Sequence, residues 1–126
     1  MRKEAQVFKA LADETRLRMM ALLLRHGELC VCDFEGGMGI SHSKSSRHLR
    51  YLQQAGLLED QREAIWVYYR LSSNPSALHQ AVLRAVETLL DLKEMKALEA
   101  QFEKWLKSKS CGVPPKQNSR TKVRAR

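Results

Sequence analysis

The stretch Ser41-His42-Ser43-Lys44-Ser45-Ser46-Arg47-His48-Leu49-Arg50-Tyr51-Leu52-Gln53-Gln54 decides how this chain is read. It opens on a serine, whose hydroxyl accepts from a backbone N–H of the first helical turn and so starts a helix. Gly56 stops it. Leu49 and Leu52 sit three apart and face a core, while Ser43, Lys44, Ser46, Arg47 and Arg50 face outward. No acid interrupts the run. In major-groove readers, residues near the helix N-terminus reach base edges, and Ser, Lys and Arg hold phosphates. Ser41, His42, Ser43, Lys44, Ser46, Arg47, His48 and Arg50 are therefore the candidate DNA-contacting residues. A plain solvated helix has a similar composition, so the flanking segments must decide between the two.

Upstream lies Gly36-Gly37-Met38-Gly39, a turn-rich break. Residues 28–34 before it begin a short helix that supports the basic one. Downstream, Leu57-Leu58 opens a short strand, and Ile65-Trp66-Val67-Tyr68-Tyr69 is β-branched and aromatic, a strand composition. The polar residues 59–64 between them read as a hairpin, with Arg62 as its candidate DNA contact. A short helix, a turn, a basic helix and a hairpin make a winged helix-turn-helix. The predicted fold is mainly α with a small β-hairpin wing.

Further out, residues 4–12 place Val7, Phe8, Leu11 and Ala12 on a first helix, and Asp13 caps a second that stops at Gly27. Asn74-Pro75 starts a last helix, with Asn as cap and Pro at the first helical position. Apolar residues recur at Leu78, Val82, Ala85, Leu89, Leu92, Met95, Leu98, Phe102 and Trp105. Over roughly 30 residues this predicts one helix about 45 Å long. A small domain cannot cover such a seam alone, so the expectation is a homodimer joined through terminal helices. Residues 1–110 then form the DNA-binding and dimerisation domain, and residues 111–126 a basic, disordered tail.

The 126 residues carry a net charge of +8, which favours an anionic partner. Seven basic residues and no acid fall in 107–126, whereas the remaining 106 residues hold 15 basic and 14 acidic groups. A nucleic-acid footprint on the folded part is therefore a local patch, and the tail adds sequence-independent phosphate attraction. No apolar run nears the ~20 residues of a membrane span, and the first residues lack the plan of a signal peptide. Three cysteines, two of them only two apart, are a poor disulfide framework and point to reduced thiols in a cytoplasmic protein. There is no Gly-rich phosphate loop, no motif of paired carboxylates and no nucleophile with an ordered base, so an enzyme is not expected.

Three segments resemble the ArsR/SmtB family of metal-responsive repressors. They are Phe8-Lys9-Ala10-Leu11-Ala12-Asp13-Glu14-Thr15-Arg16-Leu17, the basic run from Ser41 to Leu52, and Trp66-Val67-Tyr68-Tyr69-Arg70-Leu71. The resemblance implies a homodimeric repressor acting on double-stranded operator DNA of a resistance operon. Glu28-Leu29-Cys30-Val31-Cys32-Asp33-Phe34 resembles the arsenite-binding segment of ArsR proteins, which implies As(III) or Sb(III) as effector. The chain departs from the family in three places. His42 stands where Gln is common, Ala64 and Ile65 where the wing tip often has Gly and Arg, and Glu35 where a third local cysteine follows. The thiol set read here is Cys30, Cys32 and the distant Cys111. Arsenite takes up to three thiolates, and soft ligands select soft centres. On a regular helix, side chains two apart diverge by about 200°. Cys30 and Cys32 therefore grip one atom only if their segment is extended or its first turn unwinds. The alternative use of the same thiols is a redox switch, with Cys30 or Cys32 pairing with Cys111. The last helix has His79 and Asp91 but no Asp-x-His, so no zinc site of the kind found in zinc sensors of the family is expected there.

Overall fold

The structure is a computed structural model that describes residues 1–109. The expectations for Cys111 and for the tail at 111–126 lie outside the described residues.

The chain runs through α1 (Arg2–Leu11), α2 (Glu14–His26), β1 (Glu28–Cys30), α3 (Val31–Met38), α4 (His42–Gln54), β2 (Leu58–Glu63), β3 (Trp66–Leu71), α5 (Ala77–Glu87), a 3-10 turn (Thr88–Asp91) and α6 (Lys93–Lys107). Asp13 caps α2 by accepting from the Arg16 N–H, and Ser41 caps α4 by accepting from the Lys44 N–H, as their residue types predict. Leu49 and Leu52 enter a core built from Met19, Met20, Leu22 and Leu23 of α2, Phe34 of α3 and Phe102 of α6, all fully buried. The same clustering shows the limit of a spacing argument on α1, where Val7 and Ala10 are buried but Phe8 is 56 % exposed.

The three strands form an antiparallel sheet in the order β1-β3-β2. β1 leaves no signature in the sequence, because three residues are too few to show a period-2 pattern. Its pairing sets Cys30 opposite Tyr68. The hairpin is also tighter than expected: residues 58–63 are strand, and the turn is only Ala64-Ile65. Ala64 has φ 58°, a left-handed conformation that costs an L-residue about 1–2 kcal/mol. Ala64→Gly is therefore expected to raise stability by about 0.5–1 kcal/mol, after glycine's own entropy loss, as read by thermal unfolding.

Two expectations about helices are corrected. The first is the break at residues 36–39. α3 continues through Gly36 and Gly37 and ends at Gly39, whose left-handed φ of 72° closes the helix. Gly36 and Gly37 serve close approach instead. A Cβ on Gly36 would overlap the Trp105 ring, and one on Gly37 the Phe102 ring. The second is the single long last helix. Its start is capped by Ser76, which accepts from the His79 N–H, and not by Asn74. It then breaks: the Thr88 hydroxyl donates to the Ala85 carbonyl, the helix tightens to a 3-10 turn, and Leu92 is extended at φ −69°, ψ 144°. No Gly or Pro marks the place. The bend turns α6 back so that Met95 and Phe102 are buried in the chain's own core. That burial outweighs the helical hydrogen bonds given up at the elbow. No helix among the described residues is long and apolar enough to cross a membrane.

Candidate functional site

Two sites are built on adjacent helices, an exposed basic face on α4 and a pair of thiols at the start of α3.

On α4, Ser41, His42, Ser43, Lys44, Arg47 and Arg50 are exposed. Ser46 is half-buried and accepts from Arg50 Nη2 at 3.2 Å. An open concavity of about 520 Å³ runs along this face, with Arg47, Arg50, Tyr51 and Gln54 among its lining residues. Arg62 is exposed on β2, one residue before the end of the strand. His48 does not join this face. It is half-buried toward α2, with Nδ1 3.1 Å from Arg16 Nη1. The Arg16 guanidinium lies 4.1 Å from the centre of the Tyr51 ring, and its Nε donates to the Ala10 carbonyl. Arg16 thus locks α1, α2 and α4 together, a role the sequence reading did not assign.

Burial holds the His48 pKa below its ordinary value, more than the nearby Asp13 carboxylate raises it. Well above pH 6.5 both folded and unfolded chains carry neutral His48. Below that value the unfolded chain binds the proton first, so stability declines until the folded histidine also titrates. Acidification from about pH 7 is expected to lower the melting temperature, and His48→Gln to flatten that part of the profile.

The thiol pair sits where β1 becomes α3. Cys30 is the N-cap of α3 with extended backbone, φ −80°, ψ 154°, and its Sγ accepts from the Cys32 N–H at 3.4 Å. The backbone is therefore extended at the first thiol, whereas Cys32 lies in the first turn of α3. Cys30 is buried and Cys32 half-buried.

Asp33 ties this corner to the rest of the molecule. One carboxylate oxygen accepts from the Cys30 N–H at 2.9 Å. The other accepts from Trp105 Nε1 at 3.0 Å and lies 3.2 Å from Lys109 Nζ. The Cys30–Asp33 spacing is that of a capping box, a signal present in the sequence but not used. Across the sheet, burial, with the charges of Cys30, Glu63, Asp33 and Cys32 around it, pushes the Tyr68 phenol up to about 12. Tyr68 therefore stays a neutral hydroxyl beside the thiols. Glu35, at the place of the family's third cysteine, does not point to them. It reaches forward to His42, with 2.7 Å between Oε2 and Nδ1, and so joins α3 to the first turn of α4.

A basic helix seated on a two-helix scaffold and followed by a β-wing defines a winged helix-turn-helix protein. Residues 13–60 match the family described as bacterial regulatory protein, arsR family. The chain is 49% identical over 80 residues to the arsenic resistance transcriptional regulator ArsR1 of Pseudomonas putida, covering 64% of this chain and 62% of that protein. It is 54% identical over 67 residues to the arsenical resistance operon repressor of Escherichia coli (strain K12), covering 53% and 57%. Each match therefore spans less than two thirds of the relative's own length. Among solved structures, the AntR antimony-specific transcriptional repressor is similar at a TM-score of 0.57 and 33% identity, covering 72% of this chain and 77% of that one. The chain belongs to the arsR family.

Proposed function

We propose that this protein is a cytoplasmic homodimeric repressor of a metalloid-resistance operon, released from operator DNA when As(III) or Sb(III) is captured by thiolates. The observation that carries the reading is the seat of Cys30. It caps the helix whose Glu35 holds the first turn of the basic helix α4.

In this reading Ser41, His42, Ser43, Lys44, Ser46, Arg47, Arg50 and Arg62 contact DNA. His48 acts from behind, through Arg16. Cys30 and Cys32 supply two ligands and Cys111 the third. Lys109 supports the last assignment, because its ammonium lies against Asp33. Cys111 is two residues further on, at most about 7 Å of chain. The metalloid supplies bonds to up to three sulfurs. Everything else is done by the chain. Drawing the Cys30 sulfur out of its capping position weakens the N-terminus of α3, and Glu35 then shifts its hold on α4. The names of the relatives, two arsenic-resistance regulators and an antimony-specific repressor, support this effector class. Phe8 and Leu92, left at the surface, are the apolar groups the dimer reading draws on.

The test is a gel-shift titration on operator DNA with arsenite and with peroxide. Arsenite is expected to weaken binding about 5- to 150-fold, a typical coupling between two sites. Release by peroxide in the absence of metalloid would favour the redox reading instead. Arg47→Ala is expected to weaken binding evenly across DNA sequences and to lower the salt slope by about one unit.

A further inference from the structure

A second cluster of metal-ligating groups lies away from the thiols, between α2 and α6. We infer that His26, Glu99 and Glu103 form a site for a borderline divalent transition cation of the zinc class.

His26 closes the last turn of α2. Glu99 and Glu103 are four apart on α6 and so share one of its faces. One ligand atom from each of the three lies within 4.8 Å of the other two. His26 Nε2 and Glu99 Oε1 are 3.2 Å apart. Two donors at about 2.0–2.1 Å from a tetrahedral zinc are separated by about 3.3 Å. A cation would therefore replace this hydrogen bond with almost no movement of either group, and Glu103 swings in to close the site.

The state of Glu99 is a separate observation. Its second oxygen, Oε2, is shut off from solvent and has no hydrogen-bond partner among the described residues. A buried carboxylate oxygen left in that state carries a desolvation penalty, which a cation offsets. The ring of His26 is held in place by Phe102, with centroids 5.3 Å apart. The side chains of His26 and Glu99 are only 12% and 14% exposed, whereas Glu103 is exposed and gives the cation its way in. The donors are one nitrogen and carboxylate oxygens, with no sulfur. That set suits zinc, cobalt, nickel or manganese and not a thiophilic metalloid. The site joins two helices of one chain, and α6 is the helix that Asp33 grips through Trp105. An occupied site would clamp α6 over the thiol-bearing helix.

The competing explanation is an ion pair that ties α2 to α6, in which Glu103 plays no part. The experiment uses the full chain with Cys30, Cys32 and Cys111 replaced by serine, so that thiols take up no metal. Zn(II) and Co(II) are titrated by calorimetry and by visible absorption. The expected result is one equivalent per chain, a Co(II) spectrum free of sulfur charge-transfer bands, and a raised melting temperature on loading. Glu103→Gln is expected to weaken binding at least tenfold while leaving the melting temperature of the metal-free protein unchanged. His26→Gln is expected to lose the metal as well. No uptake by the cysteine-free chain overturns the proposal, as does uptake that Glu103→Gln leaves unaltered. Neither result touches the metalloid reading, because the thiols are absent from the test.

Discussion

Replacing Cys30 and Cys32 together by serine is expected to leave operator binding nearly intact and to abolish its weakening by arsenite. Serine is a good N-cap residue, so the hydroxyl at position 30 takes over the bond that the sulfur now accepts from the Cys32 N–H. The Asp33 carboxylate still accepts from the backbone N–H of residue 30, because that bond does not involve the thiol. The helix-turn-helix therefore keeps its shape, and a failure to respond cannot be put down to unfolding. What disappears is the pair of soft ligands. The measured quantity is the ratio of operator affinities without and with arsenite, expected to fall from about 5- to 150-fold in the parent to near unity in the variant. Glu35→Gln provides the companion measurement. It keeps both thiols but weakens the contact with His42, a surface pair worth at most about 1 kcal/mol. Arsenite still binds, and less of its binding reaches α4. Undiminished release in the double cysteine variant would remove the thiols from the account altogether.

The parts of the fold visible in the sequence are those set by one residue acting on its near neighbours. Asp13 and Ser41 cap because of what a short polar side chain does to the next turn, and Leu49 and Leu52 are placed by a three-residue step. The missed parts depend on partners far along the chain. Gly36-Gly37 looks like a turn until Phe102 and Trp105 are known to lie against it. The elbow at Thr88–Asp91 has no breaking residue, so nothing local separates a continuous helix from one that folds back. The thiol site was half legible. Cys-x-Cys names candidate ligands, but the extended backbone at Cys30 follows from β1, whose three residues pair with β3 some 40 positions away. Tyr68, Trp105 and Lys109 join the site for the same reason. His26, Glu99 and Glu103 are invisible in the sequence because their spacing, 73 positions from the histidine to the first carboxylate, has no motif.

The fold-back of α6 leads to the other large expected effect, on stability. Phe102→Ala is expected to destabilise the chain by about 3–5 kcal/mol, read by urea unfolding. That is a large share of the 5–15 kcal/mol a domain usually has. The ring is fully buried, packs 6.2 Å from Phe34 centroid to centroid, and covers Gly37 so closely that no Cβ fits between them. Removing it leaves a cavity that the glycine face of α3 cannot fill. The apolar spacing from Leu78 to Trp105 allows a different outcome. Were it the seam of one straight helix against a second copy, Phe102 would matter mainly to association, and the loss would fade once the chain was diluted to monomer. Unfolding at widely separated protein concentrations distinguishes the two, because a residue buried in its own chain destabilises a dilute monomer as much as a dimer. Persistence of the loss on dilution identifies α6 as part of the domain core. The helix that covers the thiol-bearing α3 then belongs to the same subunit as the thiols.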